Sequence, residues 1–131
     1  LAEHPHDFSC YINLLVAYLY ANENQKALEV FQKAEKECDN QALLYAYGGD
    51  LYKRLGRYGE ALDCWDKAFS LDSEMTAVLW SKGFCYEELG EYQKAYEVWC
   101  LLIAWLEERG YEAEAEEPRR LAEGCREKLC Q

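Results

Sequence analysis

The sequence is short of helix-breaking residues and of positive charge. Only two prolines and eight glycines occur in 131 residues, so little interrupts long helices. Lysine and arginine number 14 against 25 aspartates and glutamates, a formal net charge of −11. Polyanions are held chiefly by lysine and arginine, so this balance argues against direct binding to nucleic acid or to an anionic membrane. No apolar run reaches the length of about eighteen residues that a transmembrane helix needs. The stretch Leu14–Tyr20 is apolar but short, and it follows no basic segment of the secretory kind. The seven cysteines are odd in number and form no Cys-x-x-Cys, so the expected setting is reducing and cytoplasmic, with thiols as small core residues.

Signatures of catalysis are missing as well. There is no P-loop, dinucleotide fingerprint or Ser–His–Asp pattern, so neither enzymatic activity nor a cofactor is expected. His4 and His6 flank Pro5 and read as a solvated tail rather than a metal pair. Cys125 and Cys130 would diverge on a helix and cannot share one metal directly, while Cys85 and Cys100 fit the small apolar role. No metal site is expected.

What is present is apolar and periodic. Half the residues are hydrophobic and 15 % are aromatic, more than a disordered acidic chain carries. Tyr18, Tyr52 and Tyr86 are spaced by 34, as are Ala27, Ala61 and Ala95, and Phe31, Trp65 and Trp99. Asn22, Gly56 and Gly90 form a fourth column, and Tyr11, Tyr45 and Leu79 a fifth. Each unit reads as two helices and a tight turn. Tyr45, Gly49 and Tyr52 share a face of the first helix, and Ala61, Trp65, Ala68 and Phe69 give the matching stripe on the second. Asn22, Gly56 and Gly90 suit left-handed helix ends, and Asn40 and Ser73 are the expected N-caps between units. Gly48, Gly49 and Gly83 each cost a helix about 1 kcal/mol relative to alanine, which close approach of a neighbouring helix would offset, with the large aromatics filling the space between units.

These columns resemble the tetratricopeptide repeat: aromatic, large–small pair, tyrosine, then Ala-x-x-x-aromatic. The middle unit carries Tyr45, Gly48-Gly49, Tyr52, Ala61 and Trp65; the third carries Leu79, Lys82-Gly83, Tyr86, Ala95 and Trp99. The first carries Tyr11, Leu14-Leu15, Tyr18, Ala27 and Phe31, so the resemblance runs from about residue 8 to 109. The family's unit-ending proline is replaced by Asp39, Ser73 and Glu107. The resemblance implies an all-α fold, an α-solenoid of three antiparallel helix pairs in a right-handed superhelix with a C-terminal capping helix. The expected divisions are repeats at 8–41, 42–75 and 76–109, an acidic linker at 110–117 and the cap at 118–131. Counting back 34 from Asp39 reaches Pro5, so residues 1–7 read as the tail of a preceding repeat or as a leader.

The third unit's second helix should run long, to about Arg109 before Gly110. Pro118 suits the first turn of a final helix, on which Leu121, Cys125 and Leu129 would form an apolar stripe. That helix reads as a cap packed on Trp105 and its neighbours, or as a plug that a partner displaces.

The resemblance also implies where a partner would bind, on the concave face lined by each first helix. The corresponding positions are Ser9, Ile12, Asn13, Val16 and Tyr20, then Leu43, Ala46, Tyr47, Asp50, Lys53 and Arg54, then Ala77, Trp80, Ser81, Phe84, Glu87 and Glu88. One subset of the family clamps chaperone C-terminal carboxylates with lysine, asparagine and arginine. Here Ile12, Val16, Trp80 and Phe84 stand in those places, with Lys53 and Arg54 the only groove cations, so chaperone-tail capture is not expected. An apolar or amphipathic protein segment is, with Trp80 as anchor. A regulatory repeat segment of a larger protein, such as a transcription regulator, is the second reading; self-association into a homo-oligomer is the third.

Overall fold

The computed structural model describes residues 8–38 and 40–131. The readings that rest on Pro5, His4, His6 and Asp39 lie outside the described residues. Seven helices follow one another: α1 (Phe8–Tyr20), α2 (Asn24–Glu37), α3 (Ala42–Arg54), α4 (Tyr58–Leu71), α5 (Ala77–Glu88), α6 (Tyr92–Glu108) and α7 (Glu116–Leu129). The described residues contain no strand, and none of their helices is long and apolar enough to cross a membrane. The fold is all-α.

Two compact units divide the chain after Ser73. In the first, α1 packs on α2, α2 on α3 and α3 on α4, and α1 also touches α3. In the second, α5 packs on α6 and α6 on α7.

One turn geometry recurs. Asn22, Gly56, Gly90 and Gly110 have φ of 61°, 76°, 75° and 80°. In each case two backbone N–H groups close the helix end in a Schellman pattern. Gly56 donates to Lys53 O at 3.0 Å and Arg57 to Tyr52 O at 2.8 Å; Gly90 and Glu91 donate likewise to Glu87 O and Tyr86 O. The expected left-handed column is therefore in place. The expected N-caps are not: Gln41 and Thr76 precede α3 and α5, and neither makes a side-chain cap. Backbone carbonyls close the first turns, as Leu44 N donates to Gln41 O and Leu79 N to Thr76 O.

The core follows the aromatic–small columns. Ala27, Ala61 and Ala95 are fully buried, as are Trp65 and Trp99 to within 1 %. A Cβ on Gly49 would stand 2.2 Å from the Trp65 indole, and one on Gly83 2.5 Å from that of Trp99. Each tryptophan thus lies on the bare backbone of its own hairpin. Phe31 joins the first hairpin to the second: its ring meets the site of a Gly48 Cβ at 2.4 Å and packs edge-on against Tyr45 and Tyr52, centroids 6.0 and 5.7 Å away.

Helix α6 has 17 residues against 14 in α2 and α4, and it ends before Gly110 as the sequence pattern predicts. On α7 the buried residues are Pro118, Ala122 and Cys125; Leu121 is half-buried and Leu129 is exposed. The apolar stripe is thus rotated from the expected Leu121–Cys125–Leu129 line, because Pro118 and Ala122 let α7 sit close. Trp105, expected beneath the cap, stacks on Tyr111 at 6.4 Å and carries the Arg109 guanidinium at 3.9 Å. Arg119 pairs with Glu107 of α6 and, at 3.1 Å, with Glu112.

Candidate functional site

The first helices of the hairpins hold the predicted partner-facing residues, and none of those residues lies in the buried core. On α1 and α3 the structure gathers five of them. Val16, Tyr20, Tyr47, Asp50 and Arg54, with Leu19, line an open pocket of about 180 Å³. The spacing explains the gathering: Val16 and Tyr20 lie one turn apart on α1, as Tyr47, Asp50 and Arg54 do on α3. Ile12, Asn13, Ala46 and Lys53 lie outside this pocket. Leu19 was not among the expected residues, since its side chain belongs to the core and it forms the pocket floor.

Polar groups are fixed at one end of the pocket. Arg54 Nη1 donates to the Leu19 carbonyl at 2.5 Å, a second hydrogen bond on an oxygen that already accepts the Asn22 N–H at 3.1 Å. Solvent reaches Asp50, yet the protein crowded about it raises its carboxyl pKa above the usual 3.8; the Trp65 indole and then the charges of Arg54 and Lys53 offset part of that rise. The Trp65 indole N–H itself is buried and has no hydrogen-bond acceptor in good geometry.

On α5 the expected residues behave differently. Trp80 and Phe84 lean on Trp99, with centroids 5.6 and 5.1 Å from its ring, and Trp80 lies 6.1 Å from Phe84. Phe84 remains 40 % exposed and Trp80 is half-buried, so this aromatic cluster is open on one side. Glu87 faces inward. Its Oε2 accepts the Trp99 indole N–H at 2.7 Å and the Cys125 thiol at 3.6 Å. Glu88 is exposed, and neither it nor Glu87 joins the α1–α3 pocket.

The thiols divide by burial. Cys64, Cys85 and Cys125 are buried, as expected of small core residues, whereas Cys100 and Cys130 are exposed, so Cys100 does not take the core role read from sequence. Burial pushes the Cys64 thiol up to about 12 and, with the Glu87 carboxylate, that of Cys125 up to about 11. Both are therefore poor nucleophiles at neutral pH.

Comparison with known proteins places this arrangement. A tetratricopeptide repeat family model matches residues 42–75, the stretch that contains α3 and α4. The BBSome complex member BBS4 of Bos taurus is 32 % identical over 85 residues, covering 65 % of this chain and 16 % of that protein. The chain carries a tetratricopeptide repeat. It spans 16 % of the length of that curated relative.

Solved tetratricopeptide-repeat structures share the fold. The Yersinia enterocolitica type III secretion chaperone SycD, in complex with a peptide of the translocator YopD, superposes with a TM-score of 0.80 at 14 % identity, covering 92 % of this chain and 93 % of that one. The TPR2B domain of yeast Sti1, in a complex with pHsp70, gives 0.79 at 16 % identity, covering 92 % and 97 %. Both relatives are described as complexes with a partner. The likeness to these structures is one of fold.

Proposed function

We propose that the chain is a non-catalytic module that binds a peptide or helix of another protein, with the open face of α1 and α3 serving in the first unit and that of α5 in the second. The pocket of Val16, Tyr20, Tyr47, Asp50 and Arg54 carries this reading, because sequence register alone had marked five of its six lining residues. Apolar area at Val16, Tyr47, Trp80 and Phe84 would supply the driving force, at roughly 25 cal/mol per Å² buried. Ile12, Asn13, Ala46, Lys53 and Glu88 would form the surrounding contact surface, with charges setting register. A cytoplasmic setting belongs to the same reading and is supported by seven free thiols.

Trp80→Ala tests the α5 face. Partner affinity measured by calorimetry should fall at least tenfold, the usual scale for an aromatic anchor. Unchanged affinity would remove Trp80 from the site. A second reading, a repeat segment within a larger assembly protein, is favoured by the likeness to a complex member much longer than the matched stretch. It predicts that the partner is another subunit of the same assembly, which a pull-down with the full-length protein would show.

A further inference from the structure

We propose that the α1–α3 pocket receives a lysine or arginine side chain of the partner protein, its stem against Tyr20 and Tyr47 and its charged head at Asp50. This names the chemistry of the peptide-binding reading above and rests on it.

The chain supplies its own template for the contact. Within the same unit Lys26 stands over the Tyr18 ring at 5.9 Å, Arg57 over Tyr52 at 4.9 Å and Lys67 over Tyr45 at 4.5 Å. Tyrosine faces attract such cations through their ring quadrupole, and the methylene stem gains contact area at the same time. Tyr20 and Tyr47 line the pocket, and among the described residues no lysine or arginine covers either ring. Tyr20 is also 88 % exposed, so its ring is open to an incoming group.

The polar end selects the sign of that group. Arg54 lines the pocket with one guanidinium nitrogen on the Leu19 carbonyl, and its charge offsets only part of what burial costs Asp50. Asp50 forms no salt bridge within 4.0 Å among the described residues, and the crowding that raises its pKa marks a carboxylate short of compensation. A bound cation would supply it. An apolar side chain would strip water from Asp50 and give nothing back, a penalty that selects against it. An anion would meet Asp50 and the field of a chain of net charge −11.

A displayed library of random ten-residue peptides, selected on the whole chain, on Asp50→Asn and on Tyr47→Leu, tests the assignment. Peptides enriched on the unaltered chain should share a lysine or arginine at one position. Replacing that residue by norleucine should weaken binding about tenfold on the unaltered chain and less than about twofold on Asp50→Asn. Tyr47→Leu keeps the apolar wall without the π face and should lose an intermediate share. Circular dichroism confirms that both variants are folded before selection. Selected peptides without a shared basic residue, or an equal norleucine effect on the unaltered chain and Asp50→Asn, would overturn the assignment and leave the peptide-binding reading standing. Failure to select any peptide would overturn both.

Discussion

Glu87 accepts the indole N–H of Trp99 at 2.7 Å, which ties a carboxylate on α5 to a fully buried ring on α6. The same oxygen accepts the Cys125 thiol of α7, so three helices of the second unit meet at one atom. A register count places Glu87 among the partner-facing residues; the contact turns it into part of the scaffold. Its equivalent one repeat earlier is Lys53, which cannot accept a hydrogen bond, and there the Trp65 indole N–H has the Asp50 carboxylate nearby but no acceptor in good geometry.

Glu87→Ala should therefore destabilise the chain by about 1–3 kcal/mol, the cost of leaving a buried donor unsatisfied. Urea unfolding followed by circular dichroism measures it. In a Trp99→Phe background, where no indole donor exists, most of that loss should disappear; an undiminished loss would show that the Trp99 contact is not what Glu87 contributes.

Gly49 and Gly83 carry a second prediction. Alanine in a helix interior normally gains about 1 kcal/mol over glycine, but here its Cβ would press into an indole. Gly49→Ala and Gly83→Ala should each lose about 1–3 kcal/mol in thermal or urea melts, the range for overpacking. Gly124 on α7 has open space at its Cβ position, so Gly124→Ala should be neutral or stabilising. The first repeat shows the compensated form, with Leu15 in the column of Gly49 and Phe31 in that of Trp65. Trp65→Phe should accordingly recover part of the Gly49→Ala loss.

The fold was legible because packing repeats. A column of alanines and aromatics at 34-residue spacing is the trace of one hairpin written three times, and the left-handed turns at Asn22, Gly56 and Gly90 follow from backbone chemistry alone. Half of the candidate site was legible for the same reason: register finds which side of α1 and α3 is open, hence Val16, Tyr20, Tyr47, Asp50 and Arg54. Register is blind to what each copy does differently. The reach of Arg54 to the Leu19 carbonyl and of Glu87 to Trp99 depends on side-chain length and on a neighbouring helix, neither of which leaves a periodic mark. The helix starts at Ala42 and Ala77 escaped for a related reason, since Gln41 and Thr76 precede them without a side-chain cap, and neither residue type marks a helix start as Asn40 and Ser73 do.

The final helix should behave as a cap. It packs on α6, buries Pro118, Ala122 and Cys125, and holds Glu107 through Arg119. Deleting residues 118–131 should lower the thermal midpoint by several degrees, a loss of more than about 1 kcal/mol for a domain of this size. Raised affinity for a selected peptide at unchanged stability would instead mark α7 as a plug.

Asp50 supplies a prediction in pH, and its sign follows from the direction of its shift. Surrounding protein raises its carboxyl above the usual 3.8 in the folded chain, with the Trp65 indole and neighbouring cations offsetting only part of the rise. The folded state therefore binds a proton at Asp50 more readily than the unfolded state does. Linkage then makes ionised Asp50 a cost to stability at neutral pH, a cost removed as pH falls through the folded pKa toward the unfolded one. Solvent access screens part of the effect, so the difference should be small but of definite sign. Asp50→Asn, which is neutral throughout, should unfold at higher urea than the unaltered chain at pH 7. That advantage should shrink as the pH is lowered and vanish below about pH 4, where aspartate is protonated in both states. A variant less stable than the unaltered chain at pH 7 would show that Asp50 is already compensated within the fold, and it would remove the reason for a partner's cation to bind there.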